Sequence, residues 1–413
     1  MIGFSSFSAQ MRPALAGVVL GATLFAASCQ NVPNGFPDLS AGISTRQTAP
    51  AAAAATPVPA VLPPANGEVI GAGPVRIAML IPKSAPGNAG VAASSLRNAA
   101  ILAMEDFGSS IQLVVKDTGG VATMATDAAG EAFNEGASLV LGPLFAGNVS
   151  AVSGVLSPRG KMMIAFSSDR TVAGPGVYLQ SYLPDAMIAR TLNHAAGAGV
   201  KRIVAIVPEG QFGTLAEQVA VRTLTSAGGQ VTKVVRYAYD DGSVERAVDE
   251  AAPFVADADG IFIPDGGTSP GALAAAFARK GTPLAGKRLL GTAQWSGSDL
   301  SNPVFNGAWY ADSDTSRQGE FISRYKQKFG SDPVPFATLA YDAVALASGL
   351  ARNGGTSAFT RQAIEQPGGY NGYGGVFRFR ADGTNERGYA VYEVGPGGTR
   401  IVSPAPRSFT VGG

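Results

Sequence analysis

Residues 75–81 read Val75-Arg76-Ile77-Ala78-Met79-Leu80-Ile81, and residues 111–116 read Ile111-Gln112-Leu113-Val114-Val115-Lys116. Both are short, nearly continuous runs of aliphatic and β-branched side chains, the pattern of strands buried on two faces. Ala89 to Phe107, which separates them, is rich in small and apolar residues spaced near 3.6 and predicts a helix. The same alternation continues through strands at Ser138 to Leu141 and Met162 to Phe166, with helices at Val121 to Glu135 and Asn148 to Ser157. A βα order of this kind implies a parallel sheet with right-handed crossovers and helices on both faces.

A second set follows the first. Pro184 to Ala198 predicts a helix, and strands are expected at Arg202 to Val207, Val231 to Tyr237, Gly260 to Ile263 and Arg288 to Gly291. Helices at Phe212 to Ala227, Val244 to Val255 and Pro270 to Lys280 lie between them. Two sets of similar size argue for two domains of one architecture, so the fold class is α/β with two Rossmann-like lobes. The tail breaks the order: helices at Gly319 to Phe329, Phe336 to Leu350 and Thr356 to Ile364, then strands at Gly375 to Arg380 and Ala390 to Val394. Such a tail suggests a chain that crosses back between lobes.

The first residues decide the compartment. Arg12 precedes an apolar run from Ala14 to Ala27 that is shorter than the roughly 20 residues a membrane span needs. It ends at Ala26-Ala27-Ser28-Cys29, which resembles a bacterial lipobox and holds the only cysteine of the 413 residues. Residues 1–28 are therefore expected to be a lipoprotein signal peptide and Cys29 a lipidation site, with the membrane reached through that anchor alone. Gln30 in place of aspartate favours the periplasmic face of the outer membrane over retention at the inner one. Residues 29–73 are rich in Ala, Pro, Ser and Thr, with almost no large apolar side chain to bury, and are expected to form a tether.

Beyond the tether the chain must be held by a core, because a mature form would carry no disulfide. Hydrophobic residues make up 46%, charged residues 15%, net charge is +1 and mean hydropathy +0.15, with no basic cluster that would suit nucleic acid.

In open parallel sheets ligands bind beyond the carboxyl ends of the strands. That rule selects Lys83, Ser84, Asp117, Leu144, Phe145, Ser167, Ser168, Asp169 and Arg170 in the first lobe, and Gln211, Phe212, Asp265, Gln294 and Trp295 in the second. The turn at Gly142 and Pro143, ending a strand just before a helix, is expected to leave free backbone amides near the helix start, suited to an anion. Asp169 and Arg170 can pair with each other or meet a polar ligand.

Enzyme motifs fail on their chemistry. Gly267-Thr268-Ser269-Pro270-Gly271 has the spacing of a nucleophile elbow, yet Pro270 lacks the amide that would stabilise an oxyanion, and His194, the only histidine, precedes the serine. Ser269 is expected to cap a helix that has Pro270 at its first position. Gly281 to Lys287 mimics a phosphate loop, but Arg288 stands where serine or threonine is required. Asp312, Asp314 and Ser316 begin like a calcium loop without its glycine and glutamate. No metal site, cofactor or catalytic residue is expected.

Val140-Leu141-Gly142-Pro143-Leu144, Ile164-Ala165-Phe166-Ser167-Ser168, Gly210-Gln211-Phe212-Gly213 and Ala337 to Ala343 occur in an order that resembles the type I periplasmic binding proteins, from Pro74 to about Val394. The resemblance implies two discontinuous lobes joined by a three-stranded hinge: 74–183 with 312–366, and 184–311 with 367–405. Ser167 to Arg170 and Gly174-Pro175-Gly176-Val177-Tyr178 are similar to the branch of penicillin-binding protein activator lipoproteins. That implies a regulator whose partner is a penicillin-binding protein, a peptidoglycan synthase. The alternative is a substrate-binding protein that serves an ABC permease and a small polar ligand such as an amino acid, amide or small peptide.

Overall fold

The computed structural model describes residues 62–314 and 318–409. The proposed signal peptide, Cys29 and most of the tether lie outside them. In chain order the elements are β1 (Glu68–Ile70), β2 (Val75–Ile81), α1 (Asn88–Phe107), β3 (Ile111–Asp117), α2 (Ala122–Asn134), β4 (Leu139–Leu141), α3 (Ala146–Leu156), β5 (Met163–Ala165) and β6 (Val177–Leu179). Next come α4 (Pro184–Gly197), β7 (Arg202–Pro208), α5 (Gln211–Ser226), β8 (Gln230–Tyr237), α6 (Asp241–Val255), β9 (Gly260–Phe262), α7 (Ser269–Arg279), β10 (Arg288–Leu290) and β11 (Trp309–Asp312). The remainder is α8 (Gln318–Phe329), α9 (Thr338–Gly354), α10 (Arg361–Ile364), β12 (Tyr370–Gly372), β13 (Gly375–Phe379), β14 (Asn385–Arg387), β15 (Ala390–Gly395) and β16 (Gly398–Ser403).

One sheet has the order β1-β3-β2-β4-β5-β6 and the other β16-β15-β11-β10-β9-β7-β8. Pairing is parallel except at β1, β15 and β16. Alternation along β2 explains why both faces are covered. Ile77, Met79 and Ile81 point into a core built with α1, α8 and α9, whereas Ala78 and Leu80 meet the alanine face of α2 and the Val149, Val152 and Leu156 face of α3. Each such aliphatic residue, wholly buried, contributes roughly 1.5–3 kcal/mol through removal of apolar surface from water. In the second sheet Val204 and Ile206 face α6 and α7, and Ile203, Ala205 and Val207 face α4 and α5.

The chain passes between the lobes three times: from β6 to α4, from β11 to α8 and from β14 to β15. A separate three-stranded antiparallel sheet, β12-β13-β14, sits at these passages. Its Phe377 and Phe379 belong to the core of the first lobe beside Tyr178, so residues 370–387 depart from the expected assignment of 367–405 to the second lobe. The cause is apolar: those rings find their partners under α9, and only β15 and β16 join the second sheet.

Two other expectations change. Residues 68–70, expected within the tether, form an edge strand because Glu68, Val69 and Ile70 pair with Val115, Val114 and Leu113 of β3. The helix expected over 356–364 is broken into a short turn at Gly355–Ala358 and α10, whose start is capped by the Thr360 hydroxyl accepting from the Ala363 amide at 3.2 Å.

Candidate ligand cleft

The first sheet reverses its strand order between β2 and β4, where α1 leaves on one side and α3 on the other. A crevice must open there, at the carboxyl ends of the strands. Gly142, at φ 87°, allows the turn after β4, since a Cβ would fall 2.2 Å from the Leu80 carbonyl oxygen. The chain then enters α3 at Ala146, two residues earlier than expected, which brings the helix start to the crevice.

A cavity of about 550 Å³ fills this position. Leu144, Phe145, Phe166, Phe336 and Leu339 supply apolar walls, Ala89 and Ala92 of α1 keep it open, and Asn88, Ser167, Ser168, Asp169, Ser181 and Tyr182 supply polar groups. Helices α1, α3 and α9 all begin at its edge, and none has a side-chain cap. The first amides of α1 and α3 are therefore open to a ligand, whereas in α9 the Leu339 and Ala340 amides already donate to the Phe336 and Ala337 carbonyls at 3.1 Å, leaving the dipole end. Ser167 is nearly buried, and its hydroxyl accepts from the Asp169 amide at 3.2 Å. The Thr171 hydroxyl and amide donate to the Asp169 carboxylate at 2.7 and 2.9 Å and hold its pKa below the usual carboxylate value. Arg170 does not pair with Asp169; it forms an ion pair with Asp185 at the start of α4.

The other expected residues are dispersed. Lys83 and Asp117 line a different cavity of about 520 Å³ beside β1, where Lys83 pairs with Glu68 at 3.1 Å. The Ser84 amide donates to Asp117 at 3.2 Å. Gln211 is exposed and Phe212 half-buried at the start of α5, an uncapped helix following β7 at the other sheet's reversal. Asp265 is buried, accepting hydroxyl donors from Tyr237 at 2.8 Å and Ser269 at 2.9 Å. Gln294 is exposed. Trp295 is a correction: it is wholly buried, its indole donates to the Ile263 and Asp265 carbonyls at 3.0 Å, and it packs on Phe305 in the core. Gly291 makes room for the ring, since a Cβ there would lie 2.2 Å from it.

Several cavity residues went unpredicted. Asn88, Ala89 and Ala92 follow β2, and the strand-end rule reaches them when carried into the first turns of the next helix. Tyr182, Phe336 and Leu339 arrive through the passages between lobes, for which no local signal exists. Ser269 lies inside α7 behind Thr268, and its hydroxyl is engaged by Asp265, while His194 packs on Trp309 with ring centroids 4.7 Å apart. Lys287 ends in the Ala256 and Ala258 carbonyls at 2.7 and 2.8 Å, as a loop lysine rather than a phosphate ligand.

Two α/β lobes with a ligand-sized cavity at a strand-order reversal define a two-lobed binding protein. A family model described as periplasmic binding protein matches residues 74–399, and the chain belongs to that family. Membership implies a periplasmic location, and among the described residues no helix is long and apolar enough to cross a membrane. No curated protein sequence matches. Among solved structures, a putative branched-chain amino acid ABC transporter protein from Rhodospirillum rubrum is 17% identical with a TM-score of 0.69, over 79% of this chain and 99% of that one. A branched-chain amino acid ABC transporter periplasmic ligand-binding protein from Burkholderia xenovorans LB400 is 18% identical with a TM-score of 0.64, over 81% and 96%. A solute-binding protein of an ABC transporter from Rhodopseudomonas palustris BisB5, in complex with 3,4-dihydroxybenzoic acid, is 17% identical with a TM-score of 0.57, over 81% and 97%. These likenesses establish the type I periplasmic binding protein fold.

Proposed function

We propose that the chain is the solute-binding component of an ABC transporter and captures a small carboxylate with an apolar body. The observation that carries this reading is the convergence of the uncapped starts of α1 and α3, with the dipole end of α9, on one apolar cavity. Free amides and dipole ends favour the carboxylate. Phe145, Phe166, Phe336 and Leu339 favour an aliphatic or aromatic remainder. The ligand bridges the lobes and shifts them towards a closed state. The solved relatives support this reading, their names being those of transporter proteins for branched-chain amino acids or, in one case, a complex with a dihydroxybenzoic acid. Regulation of a peptidoglycan synthase rests on sequence strings alone and gains no support from the cavity or from these relatives. Lipidation at Cys29 belongs to the proposal as the means of keeping the protein at a membrane.

Thermal melts against leucine, benzoate and 3,4-dihydroxybenzoate test it. A cognate ligand at about 100 times its Kd adds roughly 2.7 kcal/mol of stability. Ala89→Trp, which fills the half-buried mouth of the cavity, is expected to abolish that gain. A flat response to all three acids, or an Ala89→Trp protein that responds as wild type does, overturns the reading.

A further inference from the structure

Helix α9 has a cavity at each end. Leu339, in its first turn, walls the cleft; residues from Tyr341 to Asn353 wall a second cavity of about 380 Å³. No residue lines both, and Arg352 at the mouth of the second lies 13 residues beyond Leu339 in the cleft, about 20 Å along the helix. Phe107 from the end of α1 and Phe377 from β13 close the second cavity, and Leu346 forms part of its apolar wall. Gly349 hollows the helix face between them.

Two polar groups on that wall have no partner among the described residues. Ser348 is 2% exposed, yet its hydroxyl makes no hydrogen bond. Such a group is costly to bury unless something fills its hydrogen-bonding capacity. Arg352, at the mouth, is exposed and forms neither an ion pair nor a hydrogen bond. The other charged residue on the wall, Asp342, is already engaged, its two oxygens accepting from the Tyr373 and Gly374 amides at 2.8 and 3.0 Å. The charge available to a ligand is thus positive.

We propose that this cavity is a second binding site, separate from the cleft, for a small carboxylate bearing an apolar chain. Arg352 takes the carboxylate in a charge-assisted pair, the chain lies against Leu346, Phe107 and Phe377, and the Ser348 hydroxyl gains a polar partner on the bound acid.

Calorimetric titration of the full chain with octanoate, an acid of this chemistry, tests the site. Gly349→Leu is the central variant. A Cβ on Gly349 meets no heavy atom within 4 Å, so the leucine grows into the cavity, and replacing a helix glycine raises helix propensity. Arg352→Glu removes the cation from an exposed position without breaking a contact. Octanoate binding is expected to persist in the cleft-blocked Ala89→Trp protein, to disappear when Gly349→Leu is added to it, and to weaken at least tenfold with Arg352→Glu. Melting temperatures verify that the variants fold: Gly349→Leu is expected at or above its parent, and Arg352→Glu slightly below it, because it places a negative charge in the last turn of α9. Absence of octanoate binding in Ala89→Trp, or binding that survives Gly349→Leu, overturns the second site, whatever the outcome of the cleft experiment.

Discussion

Asp342 lies in the second turn of α9, 3% exposed, facing a chain segment more than 30 residues further on. Burial pushes its carboxyl up to about 6, against the opposing pull of Arg387 and of the two amides that bind it. The folded state therefore holds a proton more tightly than the unfolded chain between pH 3.8 and about 6. Across that window stability falls as pH rises; the favourable contribution is complete below 3.8 and lost above 6. Its size is on the order of 3 kcal/mol for a shift of about two pKa units. Glu68 runs the other way. Arg97 and Lys83 hold it down to about 2, so its smaller, partly screened contribution is present above 4.5 and fades as pH falls. Comparison with Asp342→Asn isolates the first effect. Urea melts at pH 4 and pH 7 should show wild type losing stability relative to the variant at the higher pH, and parallel curves would refute the assignment.

At the scale of elements, β1 shows how side chains fasten a strand that three residues alone would not hold. Lys116 is 4% exposed on β3, and its ammonium reaches the Asn66 carbonyl at 2.5 Å, Glu131 at 3.1 Å and Glu135 at 3.0 Å. One cation ties the edge segment to α2. Lys116→Met keeps the stem but strands Glu135 against the strand with an unmatched charge, at an expected cost of about 3–5 kcal/mol. Hydrogen exchange should accelerate first at residues 66–70; an unchanged edge would show the knot to be dispensable. Elements of this kind are hard to foresee. β2, β3, β7 and β8 were legible because each is a seven- or eight-residue run with enough apolar side chains to show its period. β1, β12 and β14 have three residues each, and what makes them strands is the neighbour they pair with. The cleft divides in the same way: Leu144, Phe145 and Ser167 to Asp169 follow directly from strand ends, whereas Tyr182 and Phe336 depend on how the chain returns. Trp295 misled because it too follows a strand, but its indole has two carbonyls to satisfy within the core.

For the whole molecule, the three passages decide how rigidly one lobe is held against the other. The first and third are bonded to each other. The Asn385 side-chain amide donates to the carbonyls of Leu179 at 2.8 Å and Ser181 at 2.6 Å, and the Leu179 amide donates to Gly383 at 2.8 Å. Arg387 donates to Ser181 and Gly374, both at 3.1 Å, and its guanidinium lies 4.9 Å from the centre of the Tyr182 ring. Residues 179–182 are thus gripped from the third passage while Ser181 and Tyr182 line the cleft. Asn385→Ala removes two buried hydrogen bonds; the Ser181 carbonyl keeps Arg387 as a donor, while the Leu179 carbonyl loses the amide, at a cost of about 1–3 kcal/mol for the group left unsatisfied. A general loss of packing would raise exchange everywhere. Loss of this grip should instead raise it at Leu179 and its neighbours, leave β2 and β7 protected, and weaken the cleft's ligand severalfold through its displaced wall. Uniform deprotection of both sheets, or unchanged exchange at residue 179, would show that the first and third passages do not share their load through Asn385.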